Sequence, residues 1–477
     1  MRRALLIAIA AGGLAGCTLE PTYVRPAPAT PATWPVGAAY PPASPAALPS
    51  LSYRDVFRDP HLQAIIASAL ANNQDLQAAL ANVGIARAQY RVQRAQLLPQ
   101  IDANLGAGES QSHTEAAGVT TSRRQIDRSF NADVGFSAFE LDLFGRLRSL
   151  SHAAQEQYLA SEAAERTARL TIIAEVASAY LTLATDRSLL TVAAETEASA
   201  ARSVQLTQAR LTGGVAPRTD LRQAQTVLDQ ARSDRANLTT LVAQDRNALE
   251  LLVGAPVPDA DLPTSIESID GLLGEAPAGL DSRILLRRPD VAQAEYQLRA
   301  ANAQIGAARA AFFPTINLTA LAGVASPALS ALFNGNSFVW SAQAAAAQTI
   351  FDGGANRGNL AAAKAQRDLT VAQYQKAIQT AFREVADALA RQGTINNQMA
   401  AQSDLEAAAS DNYVLANARY REGIDPYLNA LDAQRTLYSA RQTLAATRLI
   451  RADNLVTLYR VLGGDLLVDT TANSKGG

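Results

Sequence analysis

The feature that most constrains the fold is a run of 67 residues, from Arg146 to Thr212, that contains neither glycine nor proline. Because those two residues most often end a helix, the run predicts one uninterrupted helix. At 1.5 Å per residue this helix would be about 100 Å long, which is wider than most single domains. Leu170, Ile173 and Ala177 recur at heptad-like spacing, which predicts packing in a coiled coil.

The end of this helix has a second copy later in the chain. Leu211–Arg232 (LTGGVAPRTDLRQAQTVLDQAR) and Tyr420–Arg441 (YREGIDPYLNALDAQRTLYSAR) agree at seven of 22 positions without a gap. Each copy lies between two long segments of helical pattern, so each is predicted to be the tip of a helical hairpin. The residues predicted to end and restart the helices are Gly213, Gly214, Pro217, Gly423 and Pro426.

Both halves of the chain are predicted to follow one plan: helix, strand, loop, strand, very long helix, tip and return helix. In the first half, a helix over His61–Leu98 ends before Pro99, and the polar segment Glu109–Asp127 is a loop between two strands. In the second half, a helix over Asp290–Phe313 ends before Pro314. The four strands are expected at about residues 100–109, 129–143, 315–325 and 337–350, and the hairpins at 146–253 and 355–462.

The N-terminus resembles an export signal that ends in a lipid-attachment site. Arg2 and Arg3 precede a short apolar core, and the segment Leu-Ala-Gly-Cys ends at Cys17, the only cysteine of the chain. This pattern is similar to the lipobox of bacterial lipoproteins, which implies that Cys17 is lipidated; an ordinary signal peptide with a chance cysteine is the alternative. Thr18 follows instead of aspartate, which in Gram-negative lipoproteins favours sorting to the outer membrane.

These segments divide the chain. A proline-rich strap follows the cysteine and is predicted to be extended. The predicted parts are a signal peptide over 1–16, a lipid anchor and strap over 17–58, a first repeat over 59–255, an inter-repeat linker over 256–282, a second repeat over 283–463 and a tail over 464–477.

The predicted strands, of about 9–14 residues, are long enough to cross a membrane as tilted strands, which requires about 9–11 residues. Four strands cannot close a barrel, and lipid does not tolerate open sheet edges. If the strands span a membrane, several copies of the chain must therefore pool them. The alternative is a soluble four-stranded sheet beside a helical rod.

The composition argues against several functions. The net charge is −2, so no bulk attraction to nucleic acid is expected. There are three histidines and no HExxH, phosphate-loop, GxSxG or nucleotide-binding glycine motif. We therefore expect no enzyme activity, no metal site and no cofactor apart from the covalent lipid on Cys17.

Together these features resemble TolC-like outer-membrane efflux proteins, and most closely their lipoprotein branch of the OprM and NodT type. The lipobox, the strap, the doubled plan and the tip sequence carry the resemblance, with FDGG at 351–354 and ELDLFGR at 140–146. The resemblance implies a mainly helical TolC-like fold with two repeats, in a homotrimer. Three chains would form a 12-stranded outer-membrane β-barrel continued by a 12-helix periplasmic α-barrel. Implied partners are a periplasmic membrane-fusion adaptor, an inner-membrane RND-type pump and outer-membrane lipid, for passive export of drugs or other small molecules.

The second tip carries the candidate gate. Leu428, Asp432 and Arg435 are four and three residues apart, so they share one helix face. In the resembling proteins the matching leucine and aspartate form rings at the periplasmic mouth, and the residues matching Tyr420 and Arg421 latch neighbouring coils. Ordinary coiled-coil surface residues are the alternative. The resemblance also implies that the tip glycines and prolines contact the adaptor.

Two other functions remain open from the residues alone. A periplasmic coiled-coil scaffold lipoprotein without a pore would keep the hairpins but not the membrane strands. A periplasmic adaptor would have one hairpin, and the duplicated hairpin argues against it.

Overall fold

A computed structural model describes residues 18–41, 52–114, 123–269 and 282–464. The predicted signal peptide, the predicted lipidation site Cys17 and residues 465–477 of the predicted tail lie outside the described residues.

The described residues form eight α-helices and four β-strands, in an order that repeats once. The helices are α1 (Tyr53–Val56), α2 (Pro60–Asn72), α3 (Gln74–Ala95), α4 (Arg146–Thr212), α5 (Arg218–Val253), α6 (Pro289–Ala310), α7 (Ala355–Arg421) and α8 (Tyr427–Val461). The strands are β1 (Asp102–Thr114), β2 (Arg123–Glu140), β3 (Thr315–Ser326) and β4 (Phe338–Ala347). The long helices α4 and α7 have 67 residues each. No helix in the described ranges is both long enough and apolar enough to cross a membrane.

The strands form one antiparallel sheet in the order β1-β2-β3-β4. Its two faces differ because successive side chains of a strand point to opposite sides. One face carries apolar cross-strand rows, for example Ala103, Val134, Ala322 and Trp340. The neighbouring row on the other face includes Asn104 and Asp133.

The strand ends differ from the predicted ones. Residues 109–114 and 123–127 were expected in a loop, but they extend the β1–β2 ladder. The polarity of Glu109 reflects exposure to solvent rather than a lack of pairing, since Glu109 and Arg128 are cross-strand partners that form an ion pair at 3.2 Å. β2 ends at Glu140 instead of about 143, and β4 ends at Ala347 instead of about 350.

The first predicted helix, over His61–Leu98, is divided in the structure into two helices, α2 and α3. Asn73, which is 3% exposed, adopts an extended conformation between α2 and α3. Its Oδ1 accepts a hydrogen bond from the Leu76 amide at 2.9 Å, and its Nδ2 donates to the Leu252 carbonyl at 2.7 Å. The side chain therefore caps α3 and compensates for the broken helix. Helix α3 then ends at Ala95 rather than Leu98.

One compact unit comprises the described parts of residues 1–26, 83–161 and 294–374, and it contains the sheet. The beginning of the strap packs against α6 in this unit. The carbonyl oxygen of Pro21 accepts a hydrogen bond from Asn302 Nδ2 at 2.7 Å, and that of Leu19 accepts one from Arg309 Nη1 at 3.1 Å. A Cβ atom on Gly306 would lie 2.8 Å from the Cα of Glu20, so this close approach requires glycine.

The other unit comprises the described parts of residues 27–82, 162–293 and 375–477. Its main core packs α2 against α4, α5 and α8, and Tyr180 inside it donates a hydrogen bond to Asp59 at 2.8 Å. Ile266 and Ile269 of the predicted linker are buried in the same core. Both hairpin tips belong to this unit.

Candidate functional site at the hairpin tips

The first tip is a Schellman turn. Gly214 has φ +75°, its amide donates to the Leu211 carbonyl at 3.0 Å, and the Val215 amide donates to the Arg210 carbonyl at 3.0 Å. This geometry places glycine where a Cβ atom would be strained, and it satisfies the last carbonyl groups of α4. Pro217 then provides the N-cap of α5.

The second tip repeats these bonds 209 residues later. Gly423 has φ +76°, its amide donates to the Tyr420 carbonyl at 3.0 Å, and the Ile424 amide donates to the Arg419 carbonyl at 2.9 Å. Pro426 provides the N-cap of α8. The two turns therefore have the same backbone, and differences between the tips reside in the side chains.

Two apolar side chains stand out at the tips. Val215 is 68% exposed and Ile424 is 62% exposed, at equivalent positions of the two turns. Neither residue was predicted to belong to a functional site. The signal was present, since both copies carry a β-branched apolar residue directly after the turn glycine. Gly213, Gly214, Pro217, Gly423 and Pro426 are likewise exposed around them.

Tyr420 lies inside the contact between the two hairpins. Its ring centroid is 5.1 Å from that of Tyr427, and both residues are buried with Ala224 of α5 and Leu431 of α8. Burial raises the pKa of Tyr420 and raises that of Tyr427 to about 12, so both phenols are neutral at physiological pH.

Arg210 links the first hairpin to Tyr420. Its Nη1 donates to the Tyr420 carbonyl oxygen at 3.0 Å, and its guanidinium carbon lies 4.9 Å from the Tyr420 ring centroid. The cation thus stands at the C-terminal end of α7, where the helix dipole favours positive charge. Arg210 was not predicted as a functional residue, because its position in the repeat gives no hint of a partner on the other hairpin.

The residue equivalent to Arg210 in the second hairpin behaves differently. Arg419 forms a bidentate ion pair with Asp425 of its own turn, at 2.6 Å and 3.1 Å. The hydrogen bond from Arg419 lowers the pKa of Asp425. Asp425, whose role the sequence left unassigned, therefore fixes Arg419 within the second tip.

The other predicted gate residues are exposed. Leu428, Asp432 and Arg435 occupy one solvent-facing stripe of α8, and Leu428 is 58% exposed. Arg421, the last residue of α7, is exposed as well. Within the described ranges, neither Asp432 nor Arg421 makes an ion pair, so both charges are available to groups outside the chain.

Comparison with known proteins gives consistent matches. The model of the family described as "Outer membrane efflux protein" matches residues 65–255 and 280–464. The antibiotic efflux pump outer membrane protein ArpC of Pseudomonas putida is 45% identical over 467 residues, covering 97% of this chain and 96% of the relative. The toluene efflux pump outer membrane protein TtgC of Pseudomonas putida matches with the same identity and coverage.

A solved structure has the same fold. The open state of the Neisseria gonorrhoeae MtrE outer membrane channel superposes with a TM-score of 0.81 at 35% identity, covering 94% of this chain and 99% of the channel chain.

Proposed function

The chain belongs to the outer membrane efflux protein family and is an outer-membrane efflux channel, and we propose that it works as a homotrimer that forms the passive exit duct of a tripartite system. The main support for a trimer comes from the four-stranded sheet. Its apolar face is exposed, with Leu105 at 87% and Trp340 at 71%, and the outer edges of β1 and β4 have no strand beside them among the described residues. A lipid environment suits that face but not those edges.

Three copies resolve this conflict, since three sheets of four strands give a closed barrel of 12 strands. The four hairpin helices of each chain would likewise give 12 helices around a periplasmic tunnel. The lipid on Cys17 would anchor each chain to the same membrane. The similarity to solved channels sets aside the scaffold without a pore.

The gate is proposed at the second tip. Leu428, Asp432 and Arg435 lie on one exposed stripe of α8, and three copies of this stripe would converge on the trimer axis. Leucines there narrow the opening, and three nearby carboxylates hold cations. Arg421 and Arg435 would pair with carboxylates of neighbouring helices, while Tyr420 is held in place by Arg210.

The partners follow from the exposed groups. Val215 and Ile424, with the turn glycines and prolines, offer an apolar rim for the helical tips of a periplasmic membrane-fusion adaptor. An inner-membrane RND-type pump would supply the energy for export, because a passive conduit has no energy source of its own. The relatives named for antibiotic and toluene efflux suggest small apolar or amphiphilic cargo.

The test uses single cysteines on adjacent residues of β2 in the purified protein in liposomes. Val134→Cys should react with a lipid-soluble maleimide, and Asp133→Cys should react with a water-soluble one from the channel interior. Native mass spectrometry should give a trimer. Equal labelling of both positions by the water-soluble reagent, or a monomer, would contradict the duct.

A further inference from the structure

A crevice between the two hairpins lies close to the proposed gate. It has a volume of about 220 Å³ and is enclosed by α4, α5 and α8. Its walls include Thr196 of α4, Val227 and Ala231 of α5, and Gln434, Arg435 and Tyr438 of α8. This volume is below the range of about 300–1,000 Å³ typical of drug-sized sites, so it suits a smaller ligand.

One buried donor in this crevice has no acceptor. Gln434 is 5% exposed, and its Nε2 has no hydrogen-bond partner among the described residues. Buried polar groups are nearly always hydrogen-bonded, and an unpaired one is unfavourable. Gln434 was notable in the sequence as one of the seven identities between the two tips, but the turn itself does not use it.

The other polar groups of the crevice are already engaged. The Tyr438 hydroxyl donates to Asp234 Oδ2 at 2.8 Å, and Gln230 Nε2 donates to Asp234 Oδ1 at 2.7 Å. The Thr196 and Thr226 hydroxyls donate to backbone carbonyls of their own helices. The free hydrogen-bonding capacity at the walls is therefore mainly that of two donors, Gln434 Nε2 and the Arg435 guanidinium.

Arg435 sets the charge of a suitable ligand. It makes no ion pair within the described part of the chain, while Asp234 is occupied by two donors. An amide N–H and a guanidinium on the wall of one crevice match a carboxylate or sulfonate, whose oxygens can accept from both. Val227 and Ala231 provide an apolar wall for the remainder of the molecule.

We propose that this crevice binds a small organic anion with an apolar body of about one aromatic ring, its anionic group held between Gln434 and Arg435. The site goes beyond the channel function, because binding needs only contacts within one chain. Its effect on conduction rests on the proposed gate: an anion that occupies Arg435 withdraws it from pairing at the mouth and favours opening.

Binding is tested on the purified full-length protein in detergent, by saturation-transfer NMR with 4-phenylbutyrate. The neutral 4-phenylbutyramide has the same body and is the matched probe. Wild type should bind the carboxylate at least tenfold more tightly than the amide. Gln434→Leu should weaken carboxylate binding at least tenfold, and Gln225→Leu, the equivalent change in the first hairpin, should leave it unchanged. Arg435→Gln should remove the preference for the carboxylate.

Gln434→Glu keeps the shape of the side chain but repels an anion, so it tests the site even if the leucine variant fails to assemble. Equal binding of both probes by wild type, or unchanged binding in Gln434→Glu, overturns the proposal. Conductance in planar bilayers is measured separately. Tight binding with unchanged conductance leaves the site standing and counts against Arg435 as a gate residue.

Discussion

The guanidinium of Arg210 caps the last turn of α7 in the second hairpin. Its Nη1 lies 3.0 Å from the Tyr420 carbonyl oxygen, and its Cζ lies 4.9 Å from the Tyr420 ring centroid. Replacement of Arg210 by alanine should therefore loosen the second tip. A cation–π contact and a charged hydrogen bond are worth about 1–2 kcal/mol each, so the loss of both should increase spontaneous opening in planar bilayers by roughly 30-fold or more.

Arg419→Ala is the matched control, since it removes the equivalent arginine of the repeat. Its ion pair with Asp425 is solvent-exposed, and water screens such pairs so that they contribute little to stability. Opening should change far less than in Arg210→Ala. Similar spontaneous opening of both variants would show that the general stability of the tip, and not the contact between the hairpins, controls opening of the periplasmic end.

Asp432→Ala should raise ion conductance several-fold and reduce preference for cations, because three converging carboxylates no longer bind cations or pair with arginines. Asp432→Asn, which keeps the shape, should reproduce the loss of selectivity. Single-channel recording measures both. Gln223→Ala, the corresponding change in the first hairpin, should behave as wild type, and unchanged conductance in Asp432→Ala would exclude this residue from the gate.

The strap should loosen at alkaline pH. His152 is held between Glu156, at 3.2 Å, and Glu20 of the strap, at 3.1 Å, and these hydrogen bonds raise its pKa to about 10. Because the folded pKa exceeds the unfolded value of about 6.5, the stabilisation is complete below that value and is lost as pH rises through about 10.

Deuterium exchange of residues 18–26, corrected for the intrinsic pH dependence, should therefore increase over this range. In His152→Gln, which cannot titrate, the corrected exchange should be fast and flat. A wild-type profile as flat as that of the variant would show that His152 does not hold the strap.

Gly393 should tolerate no side chain. A Cβ atom there would lie 2.3 Å from the carbonyl oxygen of Ala39 in the strap, whereas a Cβ atom on Gly84 would meet nothing within 4 Å. Gly393→Ala should cost about 1–3 kcal/mol and free Trp34 from its stacking on Phe382. Gly84→Ala should stabilise α3 by about 0.5–1 kcal/mol.

Acrylamide quenching of Trp34 in a Trp340→Phe background reports the difference, since the chain has two tryptophans. Quenching should increase in Gly393→Ala alone. An increase in neither variant would mean that the strap yields without detaching from α7.

The sequence predicted the elements that local chemistry determines. The bounds of α4 follow from the absence of glycine and proline, and the stripe of Leu428, Asp432 and Arg435 follows from helix periodicity. Contacts between distant segments were not predictable. The break at Asn73 depends on the carbonyl group of a residue 179 positions later in the chain. Arg210 and Arg419 occupy equivalent positions of the repeat and differ in their partners, which are the Tyr420 carbonyl group and Asp425.

The equal length of α4 and α7 imposes a constraint of its own. Both helices begin, end and turn at positions 209 residues apart, and each is 67 residues long. A one-residue deletion in either would move its tip by about 1.5 Å and rotate all later side chains by about 100°. Arg210 would then miss Tyr420, so these helices should accept substitutions far more readily than insertions or deletions.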